Sequence, residues 1–122
     1  MQSALDTAVR YMLAVMLFFI ALGNFMNAFV SPEAFFLFSK LEAASAIIYL
    51  IVNGSTALVL SILMLRGNLA SRCFLTSIYF GFHLLNSLIV SSRFFGVPAF
   101  STISLIGLIL SLIPLVRGLV LR

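Results

Sequence analysis

Charge is scarce in this 122-residue chain: 8% of its residues are Asp, Glu, Lys or Arg, against roughly a quarter in a soluble domain. That excludes a conventional water-soluble globule. Tryptophan is missing, and there is one cysteine and one histidine. A lone Cys73 cannot close an internal disulfide. Cys73 and His83 together are too few for a metal site, which draws on clusters of His, Cys or carboxylate. Acidic residues number three, namely Asp6, Glu33 and Glu42. None falls inside the first apolar run, which excludes a small four-span drug/proton exchanger built around a buried acid. No glycine-rich phosphate loop follows a strand, Gly54-Ser55-Thr56 carries no lysine, and no nucleophile–base–orienter set is visible. No catalytic residue and no metal ligand is therefore expected.

Hydrophobic residues make up 63% of the chain. The charged positions (Asp6, Arg10, Glu33, Lys40, Glu42, Arg66, Arg72, Arg93, Arg117 and Arg122) divide it into uncharged runs at 11–32, 43–65, 73–92 and 94–116. Each run reaches the about 20 residues that an α-helix needs to cross a hydrocarbon core about 30 Å thick. Membrane-spanning strands are not expected, because a membrane barrel needs at least about eight strands of alternating polarity and these runs do not alternate. The fold class expected is an all-α integral membrane protein. Its spans lie at about 9–30, 41–65, 72–91 and 98–119, within a single transmembrane domain covering 1–122. Short loops make consecutive helices antiparallel neighbours, an up-down four-helix bundle.

Span boundaries carry their own signals. Ser31-Pro32-Glu33 reads as an N-cap, a first-turn proline and an acid at a helix start. This predicts a short interfacial helix in the first outer loop, over 34–40. Gly67 closes span two, Pro98 opens span four, and Pro114 should kink its far end. The first run is too long for a cleaved signal core and reads as a signal anchor.

Net charge +4 does not point to nucleic acid, because the basic residues are scattered one or two per loop. Topology accounts for them. With the N-terminus in the cytoplasm, Arg10, Arg66, Arg72, Arg117 and Arg122 fall inside, and only Lys40 and Arg93 fall outside, as the positive-inside rule expects. Both termini are then cytoplasmic. The setting expected is a bacterial inner membrane.

Polar side chains within spans are expensive and usually face the bundle interior. At 100° per residue, Glu42, Ser45, Tyr49, Asn53 and Thr56 fall within about 80° on span two. Thr76, Tyr79, His83, Asn86 and Ser87 fall within about 100° on span three, and Asn24, Asn27 and Ser31 within about 60° on span one. His83 and Asn53 lie within about 2 Å of the bilayer midplane, Asn24 and Asn86 about 4–5 Å and Tyr49 and Asn27 about 8 Å toward the outer leaflet. Two readings follow. Such groups commonly just hydrogen-bond between helices. Alternatively, Asn24, Asn27, Tyr49, Asn53, His83 and Asn86 line a ligand pocket with Glu42 at its rim. Glu42 read alone is a helix-start charge bridged to Lys40 or Arg93. His83 read alone is a structural histidine paired with Asn53 or Tyr49; haem ligation would need a second histidine from a partner chain. Span four differs: Ser104, Gly107, Ser111, Pro114 and Gly118 form a small-residue face suited to close helix approach.

Several of these residues fit the DoxX-like group of small four-span bacterial membrane proteins. Arg10 opens span one, Gly23-Asn24-Phe25 lies near its outer end, and Pro32 and Phe36 stand in the first outer loop. Asn53-Gly54 precedes an apolar run closing at Arg66, and Asn86 lies in span three. The chain resembles that group over about two-thirds of its length. Ala57 and Leu58 stand where such families carry an acidic residue. The resemblance implies a quinone-adjacent or accessory role, since some members are membrane subunits of quinone-linked sulfur oxidation.

Three functions follow as expectations. The first is a non-catalytic subunit or accessory factor of a larger membrane complex, docked in the bilayer on a protein partner or on further copies of itself. The second is binding of quinone or a lipid-like molecule between spans one, two and three, with quinone as the one cofactor to consider. The third is an oligomeric transporter of a neutral substrate.

Overall fold

The structure, a computed structural model, describes residues 4–97, 99 and 101–120. Four helices and a two-stranded hairpin follow in order: α1 (Ala4–Val30), β1 (Glu33–Phe36), β2 (Ser39–Glu42), α2 (Ala43–Met64), α3 (Leu69–Phe94) and α4 (Thr102–Val120). Three of them, α1, α2 and α3, are long and apolar enough to cross a membrane, with mean hydropathy of 2.1, 2.1 and 1.6. Helix α4 is apolar and shorter, and it runs on through Pro114. The outward surface is as greasy as the core: Phe19, Phe29, Val52, Phe74 and Ile78 all stand exposed. A water-soluble protein does not present such a surface, whereas one bathed in lipid tails must. The expected Pro98 and Arg122 lie outside the described residues.

Sequential helices run antiparallel. Near the start of α1, Arg10 reaches the end of α2 at Met64, while Asn24 meets Asn53 further back along α2. On the other side Ser87 meets Ser101, and Asp6 pairs with Arg117 across α1 and α4. Helix α1 packs tightly along α2 through small residues: Ala14, Ala21, Ala57 and Gly54 are buried there, and the Ser61 hydroxyl donates to the Ala14 carbonyl at 2.6 Å. Helix α3 packs along α4 with Gly107 against the ring of Phe80. Much looser packing between α2 and α3 leaves a seam between the two pairs.

Arg10, Arg66, Arg72 and Arg117 gather at one end. There Arg10 is 6% exposed and donates to the Met64 and Gly67 carbonyls at 2.7 and 2.9 Å. It takes up one carbonyl that the last turn of α2 leaves without a helix partner, at Met64, and one in the loop that follows, at Gly67, and it sets a positive charge at the negative end of the helix dipole.

The connection between α1 and α2 corrects the sequence expectation. A β-hairpin stands where a short interfacial helix is predicted, in register Glu33↔Glu42, Ala34↔Leu41, Phe35↔Lys40 and Phe36↔Ser39. The reason is hydrogen-bond accounting. A one- or two-turn helix leaves most of its N–H and C=O groups open at both ends, which is costly beside lipid. A ladder closes its groups internally, and Phe35 and Phe36 suit a pleated surface. A two-residue turn at Leu37 and Phe38, with Leu37 at φ 51, closes it. Ala43 at φ 53 reverses the chain, so the hairpin folds back along α2. On one face Ala34 and Leu41 pack with Ala28, Ala46 and Leu50, and Phe36 lies against Tyr49 and Phe82. On the other face Phe35 lies against Phe94 and Phe95. Tyr49 is about 9 Å along α2 and Asn86 about 12 Å back from the end of α3, so the hairpin tip re-enters the helical layer.

Candidate functional site

The seam between α2 and α3 collects the polar residues. The Asn24 side chain donates to the Ile20 carbonyl at 2.7 Å and accepts from the Asn53 amide at 3.0 Å. The Tyr79 hydroxyl in turn donates to Asn53 Oδ1 at 3.1 Å. This relay ties α1, α2 and α3 together at mid-depth. His83, one turn beyond Tyr79, does not pair with Asn53 or Tyr49. Its ring lies 4.4 Å from that of Tyr79 and 5.3 Å from that of Phe82. Asn53 bonds Asn24 and Tyr79 instead.

Two cavities flank the relay. A slot of about 290 Å³ is lined by Phe36, Tyr49, Val52, Asn53, Thr56, Tyr79, Phe82 and His83. Its wall is mostly aromatic, and Val52, Thr56 and Phe82 on its lip are exposed, so it opens sideways between α2 and α3. Among the described residues, neither the Tyr49 hydroxyl nor the His83 ring nitrogens have a hydrogen-bond partner. A chamber of about 270 Å³ lies on the other side, toward α4, and is more polar. Asn53, Tyr79, His83, Asn86, Ser87, Ser101 and Ser104 line it, with Ile20, Phe80 and Ile103.

The remaining sequence-singled residues lie elsewhere. Asn27 is exposed and lines neither cavity. Glu42 is exposed on the hairpin, 3.3 Å from Lys40, and away from both cavities. Asn86 is buried and committed: its Oδ1 accepts the Leu37 N–H at 2.7 Å and its amide donates to the Phe35 carbonyl at 3.3 Å. It holds the hairpin tip, which carries Phe36 into the slot. Ser104, Gly107 and Ser111 are all buried within the chain: Gly107 faces the Phe80 ring of α3 and Ser104 lines the chamber, so this face of α4 is turned inward rather than outward.

Sequence reasoning left Tyr79, Phe36 and Arg10 off the candidate site. Tyr79 lies on the polar stripe of span three, a signal that was present. Phe36 reaches the slot only through the hairpin. Arg10 reads as a topology marker until its partners are seen.

Among the described residues no group of three or more His, Cys, Asp or Glu could hold a metal ion. The chain matches no protein-family model, no curated protein and no solved structure.

Proposed function

We propose that this is a four-span integral membrane protein that binds a small, flat, largely apolar molecule with a hydrogen-bonding head, of which a quinone is the type case. The ligand sits between α2 and α3. One observation carries the reading: an aromatic slot that opens sideways to lipid holds two unpaired hydrogen-bonding groups, Tyr49 and His83. Ligand sites pair apolar walls with a few converging polar groups in this way. A volume of about 290 Å³ suits a ring rather than a whole prenylated molecule, so the tail runs out past Val52 and Phe82 into the bilayer. The DoxX-like resemblance supports the same ligand class.

The membrane setting belongs to the proposal. Arg10, Arg66, Arg72 and Arg117 share one end, Lys40 and Arg93 lie at the other, and the positive-inside rule puts the first end in the cytoplasm of a bacterial inner membrane. Helix α4 is the fourth span. Within a larger redox complex such a chain would act as the ligand-holding subunit. That role needs a docking surface other than the inward-turned face of α4.

The test is equilibrium binding of a radiolabelled short-chain benzoquinone to the protein in lipid nanodiscs, against empty nanodiscs. Saturable binding at one site per chain is expected. Tyr49→Phe combined with His83→Phe removes two hydrogen bonds of about 1 kcal/mol each and should weaken binding about tenfold or more. Binding no greater than partition into empty nanodiscs, or an unaltered affinity in a folded double variant, rejects the slot.

A further inference from the structure

We infer that the second cavity, between α3 and α4, is a water-filled vestibule that enters from the hairpin end and stops at His83. It is distinct from the proposed ligand slot and stands or falls separately. The carrying observation is Ser104. The residue is 7% exposed and lines the chamber, and its hydroxyl has no hydrogen-bond partner among the described residues. An unpartnered hydroxyl in a dry apolar bundle loses its hydrogen bond to water with nothing in return, and a water beside it removes that cost.

Room and polarity agree. Water occupies an internal cavity when the space is large enough and offers two to four polar partners. At about 270 Å³ the chamber has space for several molecules at roughly 30 Å³ each. The open hydrogen-bonding capacity on its wall comprises the Ser104 hydroxyl, the His83 ring nitrogens, the second amide hydrogen of Asn53 and the Ser101 O–H. Ser87 and Ser101 show how the mouth is built. The Ser87 hydroxyl accepts from the Ser101 N–H at 2.9 Å, and Ser101 Oγ accepts from the Ser104 N–H at 3.3 Å. The start of α4 is thereby pinned to α3 by polar contacts rather than sealed by packed hydrocarbon. From this mouth the chamber reaches His83, which is about 16 Å back from the end of α3 at Phe94.

The consequence concerns His83. Its ring forms part of both walls, with water on one side and the lipid-facing slot on the other. It is the element through which a hydrogen-bonding ligand in the slot communicates with the aqueous phase.

Thiol accessibility in membrane fragments open on both sides tests the vestibule, in a Cys73→Ala background. Ser104→Cys should react with a charged, water-soluble thiosulfonate within about tenfold of the rate at the exposed Ser92→Cys, a difference of at most ~1.4 kcal/mol in access. Ser111→Cys, two turns deeper on the same α4 face, should not react. A folded Ser104→Cys as inert as Ser111→Cys overturns the vestibule. Should Ser104→Cys not fold, the wild-type protein supplies the answer. The chain has one histidine, so water-edited solid-state NMR of histidine-labelled protein reads His83 without assignment. Rapid magnetisation transfer from water to its ring supports the vestibule, and absence of transfer overturns it. Neither readout depends on whether quinone binds.

Discussion

Asn86 Oδ1 lies 2.7 Å from the Leu37 nitrogen, joining the middle of α3 to the tip of a hairpin 49 residues earlier in the chain. The bond is placed where it is needed most. Leu37 adopts φ 51, a left-handed conformation that costs a side-chain-bearing residue about 1–2 kcal/mol, and its N–H points into the bundle toward α3.

Asn86→Leu should therefore release the hairpin. The substitution removes two hydrogen bonds and strands a backbone donor, at a combined cost of about 2–4 kcal/mol. Amide hydrogen exchange at Leu37 should accelerate strongly, with Phe36 drawn out of the slot. Unchanged protection at Leu37 would show that the ladder alone holds the tip.

At the opposite end Arg10 ties the last turn of α2, at Met64, to the loop that follows, at Gly67. Arg10→Met should destabilise the protein by about 3–6 kcal/mol, since each of the two hydrogen bonds from the charged donor contributes about 1.5–3 kcal/mol. Arg10→Lys keeps the charge at the helix end but loses the forked reach, so it should recover only part of that. Thermal unfolding in mild detergent separates the two. If Lys matches the wild type, charge at the helix end matters and the fork does not. If Met and Lys fall alike, the fork matters and the charge does not.

Helix α4 depends on a close approach. A Cβ at Gly107 would lie 2.5 Å from the Phe80 ring, and all three nearest atoms belong to that ring. Phe80 is fully buried and cannot swing away freely, so Gly107→Ala should cost about 1–3 kcal/mol by overpacking. Gly81 has nothing within 4 Å of the same construction, and Gly81→Ala should be neutral or gain about 0.5–1 kcal/mol from helix propensity. Equal midpoints for the two variants would contradict the packing of α3 on α4.

How far these features could be read in advance depended on their range. The sparse charges mark out the helices because burying one in lipid is costly wherever it falls, so Lys40 and Arg66 flank α2, and Arg10, Arg72 and Arg93 lie near the ends of α1 and α3. The polar stripe of α2 and α3 brings Asn53, Tyr79 and His83 together by simple helical spacing. The hairpin was not legible. Ser31-Pro32-Glu33 is a helix-start pattern, and the choice of strand over helix depends on long-range partners in α3 that no local pattern announces. Asn86 illustrates the same limit: its place on the stripe was readable, but its hydrogen bonds go to the hairpin backbone rather than to a ligand. The small face of Ser104, Gly107 and Ser111 was readable as a packing surface. That it receives Phe80 rather than another protein depends on a ring one helix away.

Thr76 tests how completely this interior is satisfied. The residue is fully buried and its Oγ1 has no hydrogen-bond partner, the one such buried side-chain atom among the described residues. It borders neither cavity, so the water that can serve Ser104 does not reach it. Valine keeps the branched shape without the hydroxyl, and removing an unsatisfied group of this kind returns part of its roughly 1–3 kcal/mol desolvation cost. Thr76→Val should therefore raise the unfolding midpoint, corresponding to about 1 kcal/mol. Ser61→Ala is the opposite case, because the Ser61 hydroxyl donates to the Ala14 carbonyl and its loss should cost about 0.6–2 kcal/mol. Denaturation of both variants in the same detergent compares a wasted hydroxyl with a used one. A lowered midpoint for Thr76→Val would mean that the Thr76 hydroxyl finds a partner in the folded protein, and that α3 opens further toward water than its packing against α4 implies.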